Sequence, residues 1–280
     1  MIIDSHQHFW RLDAGFYDWI PPTDAMLKRD FAPHDLASQL AERGVTGTIL
    51  VQAANTEDEF VELCAAAELA GFVRGIVAPL EVERAGVAER VVGMAKQPLL
   101  VGFRPPFTPL FDDAGTLTDA AATALDVIQS HDLAFDCLTL GPPLGFIPEM
   151  ARRYPGIDFV VDHGGNPNLG EMQVSPDWLN SMRMIASHAN ACCKLSGLLT
   201  RLPAGSDATI LREHVAILLD LFGTDRLLWG SDWPVLTKAA SYADWLELSQ
   251  QLLSHLADDE IQAIFSGNTA RIYKLGKRHV

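Results

Sequence analysis

Short apolar runs alternate along the chain with stretches whose apolar residues recur at helical spacing. Eight runs read as strands: 1–6 (MIIDSH), 46–52 (TGTILVQ), 73–80 (VRGIVAPL), 98–104 (PLLVGFR), 133–140 (LAFDCLTL), 157–163 (IDFVVDH), 190–196 (NACCKLS) and 226–232 (RLLWGSD). Most are continuously apolar, the pattern of parallel strands covered on both faces. Between them, APHDLASQLAERG (32–44) opens with Pro33 and closes with Gly44, the usual helix asymmetry. In NTEDEFVELCAAAELAG (55–71), Thr56 and Glu59 have the spacing of a capping box. TLTDAAATALDVIQS, GFIPEMARRY, DWLNSMRMIASH and ATILREHVAILLDLFG also predict helices. SYADWLELSQQLLSHL, DDEIQAIFSGN and TARIYKL predict three more after the last strand.

Eight strand–helix units imply right-handed crossovers and a parallel sheet. In 280 residues they fit a (β/α)8 TIM barrel, distorted in places, better than an open doubly wound sheet. No GxGxxG follows the first strand, which counts against a dinucleotide fold. No linker, low-complexity tract or repeat divides the chain, so one domain over 1–280 is expected. Residues 9–32 (FWRLDAGFYDWIPPTDAMLKRDFA) read as an ordered loop over the barrel mouth.

Charge narrows the partners. The formal net charge is −15, and an acidic surface repels phosphate backbones and anionic membranes. A small molecule is the expected partner; a homo-oligomer is compatible with the pattern. No basic segment followed by an apolar run opens the chain, and no apolar stretch approaches the roughly 18 residues of a membrane span. A cytoplasmic location is therefore expected. Cys64, Cys137, Cys192 and Cys193 form no CxxC and read as reduced, buried thiols.

Strand geometry then organises the polar residues. Side chains at i and i+2 share a face, so Asp4, His6 and His8 are expected on one face, the imidazoles nearest the strand's C-terminal end. His163 closes the sixth strand before two glycines that permit a tight turn. Asp232 closes the eighth, before Trp233 and Pro234. Alone, each has a plain structural reading: a core histidine, a donor to a carbonyl, a turn cap. Together they place three imidazoles and a carboxylate at C-terminal strand ends, where barrel active sites lie. A divalent cation is the natural companion of clustered imidazoles. Asp162, adjacent to His163, is expected to point outward into the helix layer.

DSHQHFW, VVDHGGNP, CCKLSGL and LLWGSDWP, in that order, resemble the amidohydrolase superfamily. They look most like its branch of barrel lactone hydrolases, which includes L-fuconolactonase, L-rhamnonolactonase and 2-pyrone-4,6-dicarboxylate lactonase. RDFAPHDL, TILVQAAN, VGFR and FSGNTARIYKL extend the resemblance over nearly the whole chain. It implies hydrolysis of a cyclic ester, with His6 and His8 as the HxH pair, His163 and Asp232 as partners, and Arg104 facing substrate. The chain departs from the branch at Pro105, where a histidine often stands, and in IVAPLEV and TLGPPLG. The strand-four lysine of binuclear relatives has no counterpart, which implies at most one metal.

Ester hydrolysis needs a water nucleophile, a base and positive charge near the oxyanion. Asp232 is the expected base, with His163 beside it. His6, His8, His163 and Asp232 are the expected ligands of one divalent ion, a set that suits Zn²⁺, then Mn²⁺. Metal-independent hydrolysis, with the histidines as donors, is the alternative. Arg104, Gln52, Lys194, Trp10 and Trp233 are the expected substrate contacts, with Lys194 alternatively pairing a carboxylate such as Asp4 and both indoles alternatively packing in the core. Because Arg104 is the one arginine at a strand end, with Arg201 and Arg11 as loop possibilities, a neutral aldonolactone like L-fuconolactone is favoured over a dicarboxylate lactone. A metal-dependent decarboxylase on the same barrel is the other reading.

Overall fold

The computed structural model describes residues 1–276 except 140–141, 172, 204 and 207–208. Eight parallel strands pair in chain order: β1 (Ile2–Gln7), β2 (Val45–Val51), β3 (Val73–Ala78), β4 (Leu100–Phe103), β5 (Ala134–Cys137), β6 (Phe159–Val161), β7 (Ala191–Leu195) and β8 (Leu227–Trp229). Every run expected to be a strand contains one; β1 and β2 are shifted by one residue, and the others are shorter. The expected strand end at residue 140, within TLGPPLG, lies outside the described residues. Asp232 N donates to His6 O and His8 N donates to Trp233 O, each at 2.8 Å. These two bonds close the barrel between the first and last strands. They bring His6, His8 and Asp232 together in the same step.

Helices α1 (Pro33–Glu42), α2 (Glu59–Leu69), α3 (Val87–Met94), α4 (Asp119–Ser130), α5 (Ile147–Arg153), α6 (Pro176–Ala186) and α7 (Thr209–Phe222) connect the strands. Helices α8 (Tyr242–Leu253), α9 (Asp258–Gln262) and α10 (Asn268–Ile272) follow β8. The pattern did not single out α3. The Thr56–Glu59 capping box does not form. Helix α2 begins at Glu59 itself, whose carboxylate accepts from Ala53 N and Ala54 N, each at 2.9 Å. Those amides lie just past the last β2 ladder bond, Gln52 N to Val77 O, and a buried N–H without a partner is costly.

Two apolar cores result. The larger lies between strands and helices. The smaller fills the barrel's N-terminal end with Ile49, Val77, Val101, Val160, Cys192 and Leu228, joined by Ile272 and Tyr273 from the C-terminal segment. The four cysteines are unpaired: Cys137, Cys192 and Cys193 are buried, and Cys64 is only half-buried. Among the described residues, no helix is long and apolar enough to cross a membrane.

Candidate active site

Towards the C-terminal end the barrel interior turns ionic. Inward positions run from Ala134 to Asp136, from Val160 to Asp162, and from Cys192 to Lys194. Lys194 is fully buried, pairs with Asp136, and lies 3.0 Å from Asp162 Oδ1. Tyr273 Oη donates to both Asp136 oxygens, at 2.9 and 2.8 Å. Arg104 Nη1 donates to Asp162 Oδ2 at 2.8 Å, and Nη2 donates to the Gln52 carbonyl. Burial pushes the Asp136 carboxyl up to about 6, against the pull of Lys194. Burial also acts to raise Asp162, but Lys194, His6 and Arg104 outweigh it and hold that carboxyl well below the usual range.

His6 rests on this layer. Its Nδ1 is 3.1 Å from Lys194 Nζ and 3.3 Å from Asp162 Oδ1. Its Nε2 is 3.2 Å from His8 Nε2, 3.4 Å from Arg104 Nη1 and 3.8 Å from Asp232 Oδ1. His8 Nδ1 donates to Val51 O at 2.8 Å, so in the neutral ring His8 Nε2 is a lone pair, 3.3 Å from Asp232 Oδ1. The His163 ring lies 4.6 Å from that of His6, its Nδ1 2.9 Å from Ser196 Oγ. Burial, then the Lys194 charge, lowers His6 well below the ordinary imidazole value; burial also lowers His163. Both rings are therefore neutral near pH 7, the state that binds metal.

The expected ligands divide into two overlapping groups rather than one. His6, His8 and Asp232 each bring a ligand atom within 4.8 Å of the others, and so do His6, Asp162 and His163. The chemistry fits a divalent cation: the His8 lone pair and the Asp232 carboxylate converge, and a carboxylate stands at His6 Nδ1 to orient the ring.

Backbone strain aims two of these side chains. His163 (φ 54°) and Asp232 (φ 60°) are left-handed, which costs a non-glycine residue about 1–2 kcal/mol each. A Cβ at Gly197 (φ 60°), just past β7, would lie 2.5 Å from His163 Nδ1 and 3.2 Å from Asp232 Oδ2. Only glycine fits there.

The same geometry overturns several expectations. Asp162 points inward, because Val160 and Asp162 share the inner face of the chain leaving β6. The left-handed turn at His163 then carries the imidazole to the barrel mouth as well. Asp4 does not share the His6 face: the β1–β2 register shifts between Asp4 and Gln7. Instead Asp4 spans the seam, accepting from Ser231 N at 2.8 Å and Tyr242 Oη at 3.0 Å, and burial pushes it up to about 6. Lys194 is no substrate contact; it is sealed beneath the site by Asp136 and Asp162, not by Asp4. Trp10 is 2% exposed, donates to Arg29 O, and faces a separate groove. Trp233 packs edge-on against Phe9 and Phe31. Apolar burial claims both indoles.

Above these groups opens a cavity of about 530 Å³, walled by His8, Gln52, Arg104, His163 and Asp232. The loop arginine Arg201 also lines it, and loop residues that pattern reasoning did not single out complete it: Phe16, Asp18, Trp19, Asn55 and Thr200. The only advance signal was the aromatic character of 9–32. Arg201 is half-buried beside the Asp232 charge; burial lowers it from its ordinary value.

A family model described as amidohydrolase matches residues 3–275. The chain belongs to the amidohydrolase family. It is 33% identical over 279 residues to an L-fucono-1,5-lactonase of Burkholderia ambifaria, covering 98% of this chain and 96% of that one. An amidohydrolase of Burkholderia multivorans, solved with bound HEPES and also with bound zinc, superposes with a TM-score of 0.89 at 31% identity, over 98% of this chain and 99% of that one. A probable 2-pyrone-4,6-dicarboxylic acid hydrolase of Acinetobacter baumannii shares the fold, with a TM-score of 0.79 at 18% identity over 98% and 99%.

Proposed function

We propose that this protein hydrolyses a neutral aldono-1,5-lactone, L-fuconolactone-like, to the open hydroxy acid. The observation that carries the reading is Asp232. Its carboxylate lies 3.3 Å from His8 Nε2 on the wall of a cavity roomy enough for one sugar ring. The fucono-1,5-lactonase relative supports the lactone class. The Arg104 charge argues for a neutral substrate, since its terminal nitrogens are already taken by Asp162 and the Gln52 carbonyl.

In this mechanism Asp232 removes a proton from water as the water oxygen attacks the lactone carbonyl carbon. When the ring C–O bond breaks, Asp232 returns that proton to the leaving alkoxide. His163, anchored at Nδ1 by Ser196, orients the carbonyl side of the ring. His6, His8 and Asp232, whose ligand atoms lie within 4.8 Å of one another, would hold one divalent cation, and two imidazoles with one carboxylate suit Zn²⁺. Such an ion supplies Lewis-acid polarisation of the carbonyl. Asp162 and Lys194 hold His6 in place from below.

The test is acid release from a panel of aldono-lactones, with metal content measured before and after chelation. Turnover of a 1,5-lactone, zinc bound at about one per chain, and an Asp232→Asn loss of about 10³-fold in kcat with unchanged melting are expected. A wild-type protein inert to the whole panel overturns the reading.

A further inference from the structure

The residues that meet the expected substrate with free surface are not those at the strand ends. Trp19 is 47% exposed although it stands on the cavity wall, and its indole meets Trp10 edge-on at 5.7 Å. Asp18, beside it, is an exposed carboxylate on the same wall. Small-molecule sites are lined by aromatic side chains with a few polar groups among them, and this indole and carboxylate share one cavity wall. An indole next to a carboxylate has the chemistry of a hydroxylated ring's two aspects. The face takes the ring's C–H side, and the carboxylate accepts from its hydroxyls.

The loop is anchored beside the pair. Tyr17, between Phe16 and Asp18 in sequence, is buried, and burial, then the nearby Glu59 carboxylate, pushes its hydroxyl up. The same carboxylate accepts from the Ala53 and Ala54 amides, and both residues line the cavity. Farther along the same loop, Lys238 Nζ pairs with Asp24 Oδ2 at 2.8 Å. The loop is thus tied to both sides of the mouth.

We infer that Asp18 and Trp19 form the face that recognises the hydroxylated ring of the substrate, and so set preference for polyhydroxylated over plain cyclic esters. This rests on the lactone-hydrolase reading and deepens it. Trp19 stacks on the ring, and Asp18 accepts from two of its hydroxyls.

The experiment compares kcat/KM for glucono-1,5-lactone and δ-valerolactone in wild type, Trp19→Ala and Asp18→Asn. Asp18→Asn is expected to lower the ratio of the two by about tenfold, because valerolactone carries no ring hydroxyl to donate. Trp19→Ala is expected to lower kcat/KM for both, because both rings present a C–H face. Equal losses on both substrates in Asp18→Asn, or no loss on either in Trp19→Ala, overturn the inference. Calorimetric titration with a polyhydroxylated δ-lactam, which is not hydrolysed, separates the two readings. Lactam binding that weakens about tenfold in Trp19→Ala supports the recognition face even if no lactone is turned over. Lactam that fails to bind wild type, or binds Trp19→Ala equally well, overturns it.

Discussion

The two ends of the barrel interior are built from the same eight strands and obey opposite rules. At the N-terminal end, Val160, Cys192 and Leu228 make a dry layer that Ile272 and Tyr273 complete. Two positions later on β7, and two past Val160 beyond the end of β6, Lys194 and Asp162 stand in the same inward column, fully buried and charged. Apolar burial stabilises the first layer directly. The second is stable only as a set, because each charge has its counter-charge and a lone buried ion is very costly. The site's strain sits there too, at His163 and Asp232. One end holds the barrel together; the other uses that stability to hold groups water would otherwise disperse.

Three substitutions test that division. The largest effect is expected at the boundary. Lys194→Met leaves Asp136 and Asp162 facing each other without their shared cation, and should cost about 3–5 kcal/mol in urea unfolding along with activity. A stable, fully active variant would mean that the ionic layer is not held as a set. Next, Leu228→Ala in the dry layer should cost about 3 kcal/mol. Its kcat/KM per folded molecule should stay at the wild-type level; a selective loss of turnover would erase the distinction between the ends. The smallest concerns pH. Burial pushes Glu59 up to about 7 from an ordinary 4.5, so the folded chain binds more protons than the unfolded one between those values. Its contribution is fully present below about pH 4.5 and is lost as pH rises through about 7. Across that window Glu59→Gln should flatten the stability profile by roughly 2 kcal/mol relative to wild type. Superimposable profiles would refute the assignment.

Much of the fold was legible because continuous apolar runs and helical periodicity are local properties. All eight strands were readable, and α3 was the helix that escaped. The strand-end residues His8, His163, Arg104, Gln52 and Asp232 do line one cavity, since a barrel gathers its C-terminal strand ends whatever their separation in sequence. Errors arose where alternation was carried past a strand's true end or through an irregular register. Asp162 and Asp4 are the two cases.

The sequence by itself determined the parallel barrel, the rim that carries His6, His8, His163 and Asp232, and the family. Each of these follows from short-range pattern and motif order. Tertiary structure alone decided which carboxylates pair with Lys194 and Arg104, that Trp10 and Trp233 serve the core, and that Trp19 stays open to the cavity. Those choices depend on contacts between residues distant in the chain, where burial and charge compensation act over space rather than along the sequence.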